Sequence, residues 1–407
     1  MSKPKRLPDF SMGAALAALL VALGVCAAAP DTEAQRTSRA QAPVFKVDPL
    51  WPKPLPNHWV LGSVTGVAVD SQDHIWIAHR GADSLGNNEK GAILNPPTGC
   101  CVPAPQVLEF DQAGNLLGHW GGPGQGFDWP QSTGGITVDH KGNVWIAAAG
   151  QSEGVAARPA GAPAAGGARP ATPKPQDAHI IKFSRTGQML LQIGHAGKVE
   201  GSDSKTGLNR PAGVRVDPST NEVYVADGLG NHRVVVFDAE TGAYKRHWGA
   251  YGDKPDDAAL GPYDPSAPPA KQFRTVSGAA ISKDGMVYVC DRENDRIQVF
   301  RTDGKFVKEA FVSKTTLGDG SVWDIAFSSD PQQRFVYVAD GHDKKVFVLR
   351  RDTLDVVSSF GDGGRLAGQF YGVGSLAVDS KGNVYTGETY EGKRVQKFVY
   401  KGMGATR

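Results

Sequence analysis

One unit recurs six times along this chain, and few folds can accommodate that repetition. The unit is a small residue, a short alternating run, an acidic turn, a second apolar run, a polar loop and a third run. It opens at Gly66-Val67-Ala68-Val69-Asp70, Gly135-Ile136-Thr137-Val138-Asp139, Gly213-Val214-Arg215-Val216-Asp217, Gly278-Ala279-Ala280-Ile281, Asp324-Ile325-Ala326-Phe327 and Ser375-Leu376-Ala377-Val378-Asp379. Second runs follow, such as Val223-Tyr224-Val225-Ala226-Asp227 and Val336-Tyr337-Val338-Ala339-Asp340. Third runs span Val107 to Phe110, Ile180 to Phe183, Val234 to Phe237, Ile297 to Phe300, Val346 to Leu349 and Val395 to Phe398. Alternation at period two defines strands with two distinct faces. The openings at 66, 135, 213, 278, 324 and 375 are 69, 78, 65, 46 and 51 residues apart. The shorter spacings suit a four-stranded propeller blade of roughly 40–50 residues, and the longer ones carry loop insertions. The fold class predicted is all-β: a six-bladed β-propeller.

Closure of the ring is predicted as well. The sixth unit runs out of chain after its third strand. Val44 to Val47, ahead of the first unit, is strand-like and has no partner of its own. It is expected to supply the missing outer strand and so hide an edge. The propeller then occupies residues 43–402, preceded by a linker at 35–42. An Ala/Pro/Gly-rich insertion at 151–176 interrupts the second unit and is expected to be disordered.

Residues 1–34 read as an export signal. Lys3, Lys5 and Arg6 precede an apolar stretch from Met12 to Val25, followed by Ala27-Ala28-Ala29. The expected location is periplasmic or extracellular. Leu23-Gly24-Val25-Cys26 approaches a lipidation motif, but Val25 stands where a small residue is needed, so an anchor at Cys26 is not favoured. No other stretch approaches membrane-spanning length. With 44 basic and 42 acidic residues the net charge is +2, which offers no electrostatic footprint for nucleic acid. Cys100, Cys101 and Cys290 remain in the exported part. Their spacing leaves a bond between the adjacent pair and free thiols both open.

The segments Asp227-Gly228 to Asn231-His232-Arg233-Val234 and Asp291-Arg292-Glu293-Asn294-Asp295-Arg296-Ile297 resemble NHL repeats, with the likeness running over roughly residues 60–400. The chain is also similar to bacterial relatives of peptidyl-α-hydroxyglycine α-amidating lyase. That resemblance implies substrate-binding arginines at Arg80, in Ile77-Ala78-His79-Arg80-Gly81, and at Arg292. It also implies a zinc held by three histidines and a tyrosine base. The positions matching those histidines are Gly134, Ser277 and Gly374, and the tyrosine's is Leu229. None of the four can play the family's part.

The loops after the second strands should share one face with the mouths of the innermost strands, forming a funnel. An acid ends the second strand at Asp227, Asp291, Asp340 and Glu388, and a base opens the third at Arg233, Arg296, Lys345 and Arg394. A feature in most units reads as structural, here loop-tying ion pairs. The next position is Gly228, Gly341 or Thr389, but Arg80 in the first unit and Arg292 in the fourth. In a six-fold ring those two face each other, and guanidinium forks suit carboxylate or phosphate. An anion site at Arg80 and Arg292, with His79, Asp291 and Tyr371 beside it, is one reading. Local pairing of each arginine, with Asp83 or Asp295, is the other. The expected partner is a small anionic or peptide-like ligand or a protein, with no metal site and no cofactor. Zinc or calcium enters only with lyase activity.

Overall fold

The computed structural model describes residues 41–124, 126–151 and 175–405. The export signal and most of the 151–176 insertion lie outside them.

Six four-stranded antiparallel sheets form the ring. The first blade consists of Val64–Val69, Ile75–His79, Val107–Phe110 and Leu116–Trp120, from the axis outward. The second is Thr133–Val138, Val144–Ala148, His179–Phe183 and Met189–Gly194. The third is Gly213–Asp217, Glu222–Asp227, Arg233–Asp238 and Tyr244–Trp248. The fourth is Val276–Ile281, Met286–Asp291, Arg296–Arg301 and Phe306–Phe311. The fifth is Asp324–Phe327, Phe335–Asp340, Lys345–Arg350 and Val356–Phe360. The sixth joins Val373–Val378, Val384–Glu388 and Arg394–Ala405 to Gln41–Asp48 from the other end of the chain.

That last pairing is the predicted closure, and it is longer than expected. Gln41 pairs with Ala405 and Asp48 with Lys397, with an irregularity between Pro43 and Phe45. The ring therefore begins at Gln41, inside the stretch read as linker, and its last strand runs past 402.

The repeated acid after the innermost strand has a local cause. Asp139 Oδ1 accepts the N–H groups of Lys141 and Asn143, both at 2.9 Å, and Oδ2 accepts Trp145 Nε1–H at 3.0 Å. Asp379 repeats this with Lys381, Asn383 and the hydroxyl of Tyr385. The turn, and the aromatic that starts the next strand, are fixed by one carboxylate.

The core lies between blades. Tyr224, Val234 and Val236 of the third blade meet Val287, Val289 and Phe300 of the fourth, all but fully buried. Each such aliphatic side chain contributes roughly 1.5–3 kcal/mol on leaving water. Seen from the axis, the innermost strands are lined by Gly66, Gly135, Gly213 and Gly278. A side chain at Gly66 would place its Cβ 2.6 Å from the backbone nitrogen of Ile136, so glycine is required where the first innermost strand meets the second. Arg215 and Asp324 face each other across the centre at 3.5 Å. Cys100 and Cys101 are bonded to each other, and Cys290 is a free thiol buried in the core, its pKa pushed well up by burial. No helix among the described residues is long and apolar enough to cross a membrane.

Candidate functional site

Arg80 and Arg292 come to one place. Both line a cavity of about 120 Å³ at the mouths of the innermost strands, together with Trp323, Tyr390 and Leu229. In the third and fifth blades a side chain at this position is excluded sterically. At Gly228 an added Cβ would sit 2.3 Å from the backbone nitrogen of Val276, and at Gly341 it would meet the Trp323 ring at 2.8 Å.

Each guanidinium is largely withdrawn from water and incompletely satisfied. Nε of Arg80 and Nε of Arg292 are buried without a hydrogen-bond partner. Burial lowers the Arg80 pKa, offset by the phenol of Tyr390. Arg292 lies flat over Trp323, 4.7 Å from the ring centre, and its Nη2 donates to Glu293 at 3.2 Å. Asp295, considered as its partner, instead accepts the N–H of Ser321 at 2.9 Å. Buried N–H donors without acceptors are uncommon and costly, and both side chains that carry them here line one cavity.

The other residues expected at this site are placed differently. His79 is fully buried beneath Arg80. Its Nδ1 accepts the N–H groups of Gly62 at 3.1 Å and Gly81 at 3.0 Å, and Nε2 lies 2.8 Å from the Pro105 carbonyl. Two donors on Nδ1 place the proton on Nε2, and desolvation holds the pKa at about 4. Asp291 is fully buried too. It pairs with Arg296 at 2.7 Å and accepts the N–H of Arg274 at 2.8 Å. Both side chains are supports with no capacity left for a ligand. Tyr371 lies outside the cavity's wall, under Arg365 at 4.7 Å. Tyr390 is the tyrosine that reaches the cavity. It stands edge-on to Trp323 at 6.0 Å, with its hydroxyl donating to Asp319 at 3.1 Å.

Arg210 went unread in the sequence. It sits close enough to Arg80 for the two charges to depress its pKa, secondary to its own burial, and its Nη1 donates to the Leu229 carbonyl at 3.3 Å. It precedes the third innermost strand at a position with no counterpart in the repeat, so repetition gave no signal for it. Trp323 was missed although it holds, directly ahead of Asp324, the position of Gly134, Ser277 and Gly374 in other units.

The positions matched to zinc ligands do converge on this cavity, for Gly134, Ser277 and Gly374 all line it. They do not fit a zinc. Two lack side-chain donors, and the hydroxyl of Ser277 is spent on the Trp323 carbonyl at 2.8 Å. His74 belongs to a different cluster with Asp70 and Glu109, whose ligand-type atoms lie within 4.8 Å of one another. Arg185 fills that cluster, reaching Asp70 at 3.0 Å while stacking on Trp76.

A second cavity, of about 610 Å³, shares Arg80 and runs between the first and second blades past Pro103, Phe127, Trp129 and Gln131.

Together, the six sheets and the pairing that closes the ring define a six-bladed β-propeller, with a cavity at the mouths of its innermost strands. The family profile described as NHL repeat matches residues 208–237 and 273–300, in the third and fourth blades. The chain is 29% identical over 252 residues to the peptidylglycine alpha-amidating monooxygenase of Rattus norvegicus, covering 61% of this chain and 22% of that protein. It is 25% identical over 383 residues to NHL repeat-containing protein 3 of Mus musculus, covering 89% of this chain and 86% of that one. The chain thus spans about a fifth of the length of the amidating monooxygenases it matches. Among solved structures, a streptogramin B lyase matches 88% of this chain and 98% of its own, at 10% identity and a TM-score of 0.49.

Proposed function

We propose that this is an exported propeller that binds a small anionic or peptide-like ligand in the funnel-face cavity, without metal catalysis. The observation that carries the reading is that Arg80 and Arg292 line the same cavity and that the Nε–H group of each is buried without a partner. A carboxylate between them would accept from both, while Trp323 and Tyr390 offer flat surfaces to whatever bears it. A peptide-like ligand could extend past Arg80 into the groove beside Phe127 and Trp129.

The likeness to amidating monooxygenases supports a second reading, a lyase acting on peptidyl-α-hydroxyglycine in the same cavity. The chemistry of Gly134, Ser277, Gly374 and Leu229 weighs against it.

Calorimetric titration with short peptides bearing a free C-terminal carboxylate, and with small dicarboxylates, tests the first reading. Arg80→Ala and Arg292→Ala should each weaken binding about 10- to 100-fold, the value of a charge-assisted hydrogen bond of roughly 1.5–3 kcal/mol. Affinities unchanged in both variants would end it. Release of glyoxylate from an α-hydroxyglycine-extended peptide, abolished by Arg80→Ala, would establish the second reading instead.

A further inference from the structure

The second and sixth blades share a device at the turn between their first two strands. An aspartate holds an asparagine four residues on, Asp139 with Asn143 and Asp379 with Asn383. The aromatic that starts the next strand faces a lysine of the third strand in the ladder, Trp145 with Lys182 and Tyr385 with Lys397. Each lysine lies over its ring, 5.4 and 5.6 Å from the ring centre. The first blade keeps the aspartate and the aromatic, as Asp70 and Trp76, and departs at the other two places. His74 stands for the asparagine, and Glu109, opposite Trp76 in the ladder, stands for the lysine. Both departures install a metal-type donor. His74 Nδ1 lies 2.8 Å from Glu109 Oε1 and 4.0 Å from Asp70 Oδ2. The three atoms lie within 4.8 Å of one another, and this is the one such group among the described residues.

These donors already surround a cation. Arg185, from the turn between the third and fourth strands of the second blade, lies over Trp76 in place of the missing lysine, 5.1 Å from the ring centre. Its Nη1 reaches Asp70 Oδ2 at 3.0 Å, and its Nη2 touches both His74 Nδ1, at 2.6 Å, and Glu109 Oε1. One guanidinium thus contacts every atom of the cluster. Nδ1 accepts from Nη2 only as neutral imidazole, the form that also binds a metal. Nδ1 and Glu109 Oε1 are then two acceptors in contact, an approach that a shared cation makes favourable. Arg185 is one-third exposed. Its turn is held separately, for its carbonyl accepts Trp120 Nε1–H at 3.0 Å, so the side chain can leave the cluster while the backbone stays.

We propose that Asp70, His74 and Glu109 form a zinc site, with Arg185 as its displaceable occupant. In a tetrahedral zinc site with bonds of about 2.0–2.2 Å the ligand atoms stand roughly 3.4 Å apart. That lies between the 2.8 and 4.0 Å found here. One imidazole and two carboxylates suit zinc, whereas calcium takes oxygen ligands alone. The turn orients the set in advance. Asp70 Oδ1 accepts the N–H groups of Gln72 and His74, both at 2.9 Å, and Trp76 Nε1–H donates to Oδ2 at 3.1 Å. A second lone pair on Oδ2 remains for the metal. The fourth position is the space that Arg185 vacates, open to water. The cluster sits at the end of the blade away from the funnel, and it does not depend on the funnel reading.

The test uses the full chain, stripped with chelator and titrated with zinc chloride at pH 7.5 by calorimetry. Cobalt chloride serves as a spectroscopic substitute, because a four-coordinate cobalt ion absorbs strongly in the visible. Saturable zinc binding and those cobalt bands are expected. His74→Asn restores the residue type that the second and sixth blades carry, so the turn keeps its fold. It should weaken zinc by about tenfold or more and remove the cobalt bands. Arg185→Met keeps an apolar stem over Trp76 and removes the competing cation, so zinc should tighten by about tenfold or more. His195 with Asp128 and His247 with Asp203 offer two donors each and remain in every variant, so differences between the proteins report this cluster. No saturable zinc binding by the parent, zinc or cobalt binding unchanged in His74→Asn, zinc no tighter in Arg185→Met, or an equal response to calcium chloride would each overturn the proposal.

Discussion

The first and fourth blades put an arginine at opposite walls of one cavity, yet they support it by opposite chemistry. Beneath Arg292, Asp291 receives backbone N–H groups and is neutralised by Arg296. Beneath Arg80, the same place in the repeat is filled by His79, which receives two backbone N–H groups as a neutral ring. A carboxylate in that place brings a charge that must be answered, so the fourth blade spends an arginine on it. An uncharged imidazole needs no answer, and the third strand of the first blade opens on Gln106 and Val107 with no cation. The task common to both is to cap the backbone where the chain turns toward the cavity. Charge is incidental to that task, and it fixes how each wall will fail.

The fourth-blade support should fail through loss of its counter-ion. Arg296→Met leaves Asp291 buried beside Tyr251 and Gln272, which the guanidinium now holds at 2.9 Å each. A loss of about 3–5 kcal/mol is expected by chemical denaturation, as for other buried pairs deprived of one partner. A loss below 1 kcal/mol would mean that the backbone donors alone satisfy Asp291.

The first-blade support should fail through acid. The unfolded chain protonates this histidine near 6.5, whereas the folded chain resists until about 4. Its contribution is therefore fully present above pH 6.5 and is lost as pH falls toward 4, by about 3 kcal/mol. The measurement is the denaturation midpoint of parent and His79→Gln between pH 7.5 and 4. Burial also depresses His179, with the same sign, so the readout is the difference between the two proteins. Parallel pH profiles would refute a neutral buried His79.

The smallest effect expected is at the fifth blade. Lys345→Ala should change stability by less than about 0.5 kcal/mol, because no ion pair is lost. A loss like that of Arg296→Met would show that Lys345 does neutralise Asp340 in solution.

Much of this was legible in the residues. Period-two runs and their spacing sufficed for six blades, and a strand-like stretch without a partner sufficed for the closure. Arg80 and Arg292 stood out because their position is glycine in two other units, and the space beside Gly228 and Gly341 shows why. The ion-pair reading of the recurring acid and base holds in three blades and fails in the fifth. Sequence shows that Lys345 occupies the arginine's position, but a single ammonium on a flexible stem has no fork with which to grip a buried carboxylate. Tyr390 was legible as an aromatic near the funnel entry, whereas Arg210 was not, because it reaches the cavity from a loop ahead of the third unit. Their meeting is a property of the ring.

The closing strand has a consequence for how the molecule comes to be. Gln41 pairs with Ala405, so the sixth sheet cannot be finished until the chain has been made as far as Ala405. Local hairpins in the other five can form early, but the join that locks them pairs residues from before the first blade with residues after the fifth, and such contacts are slow to find. Until they do, a long unpaired strand edge is open at each side of the gap, where another copy could add itself. The step that confers closure is thus also the one at which assembly competes with aggregation.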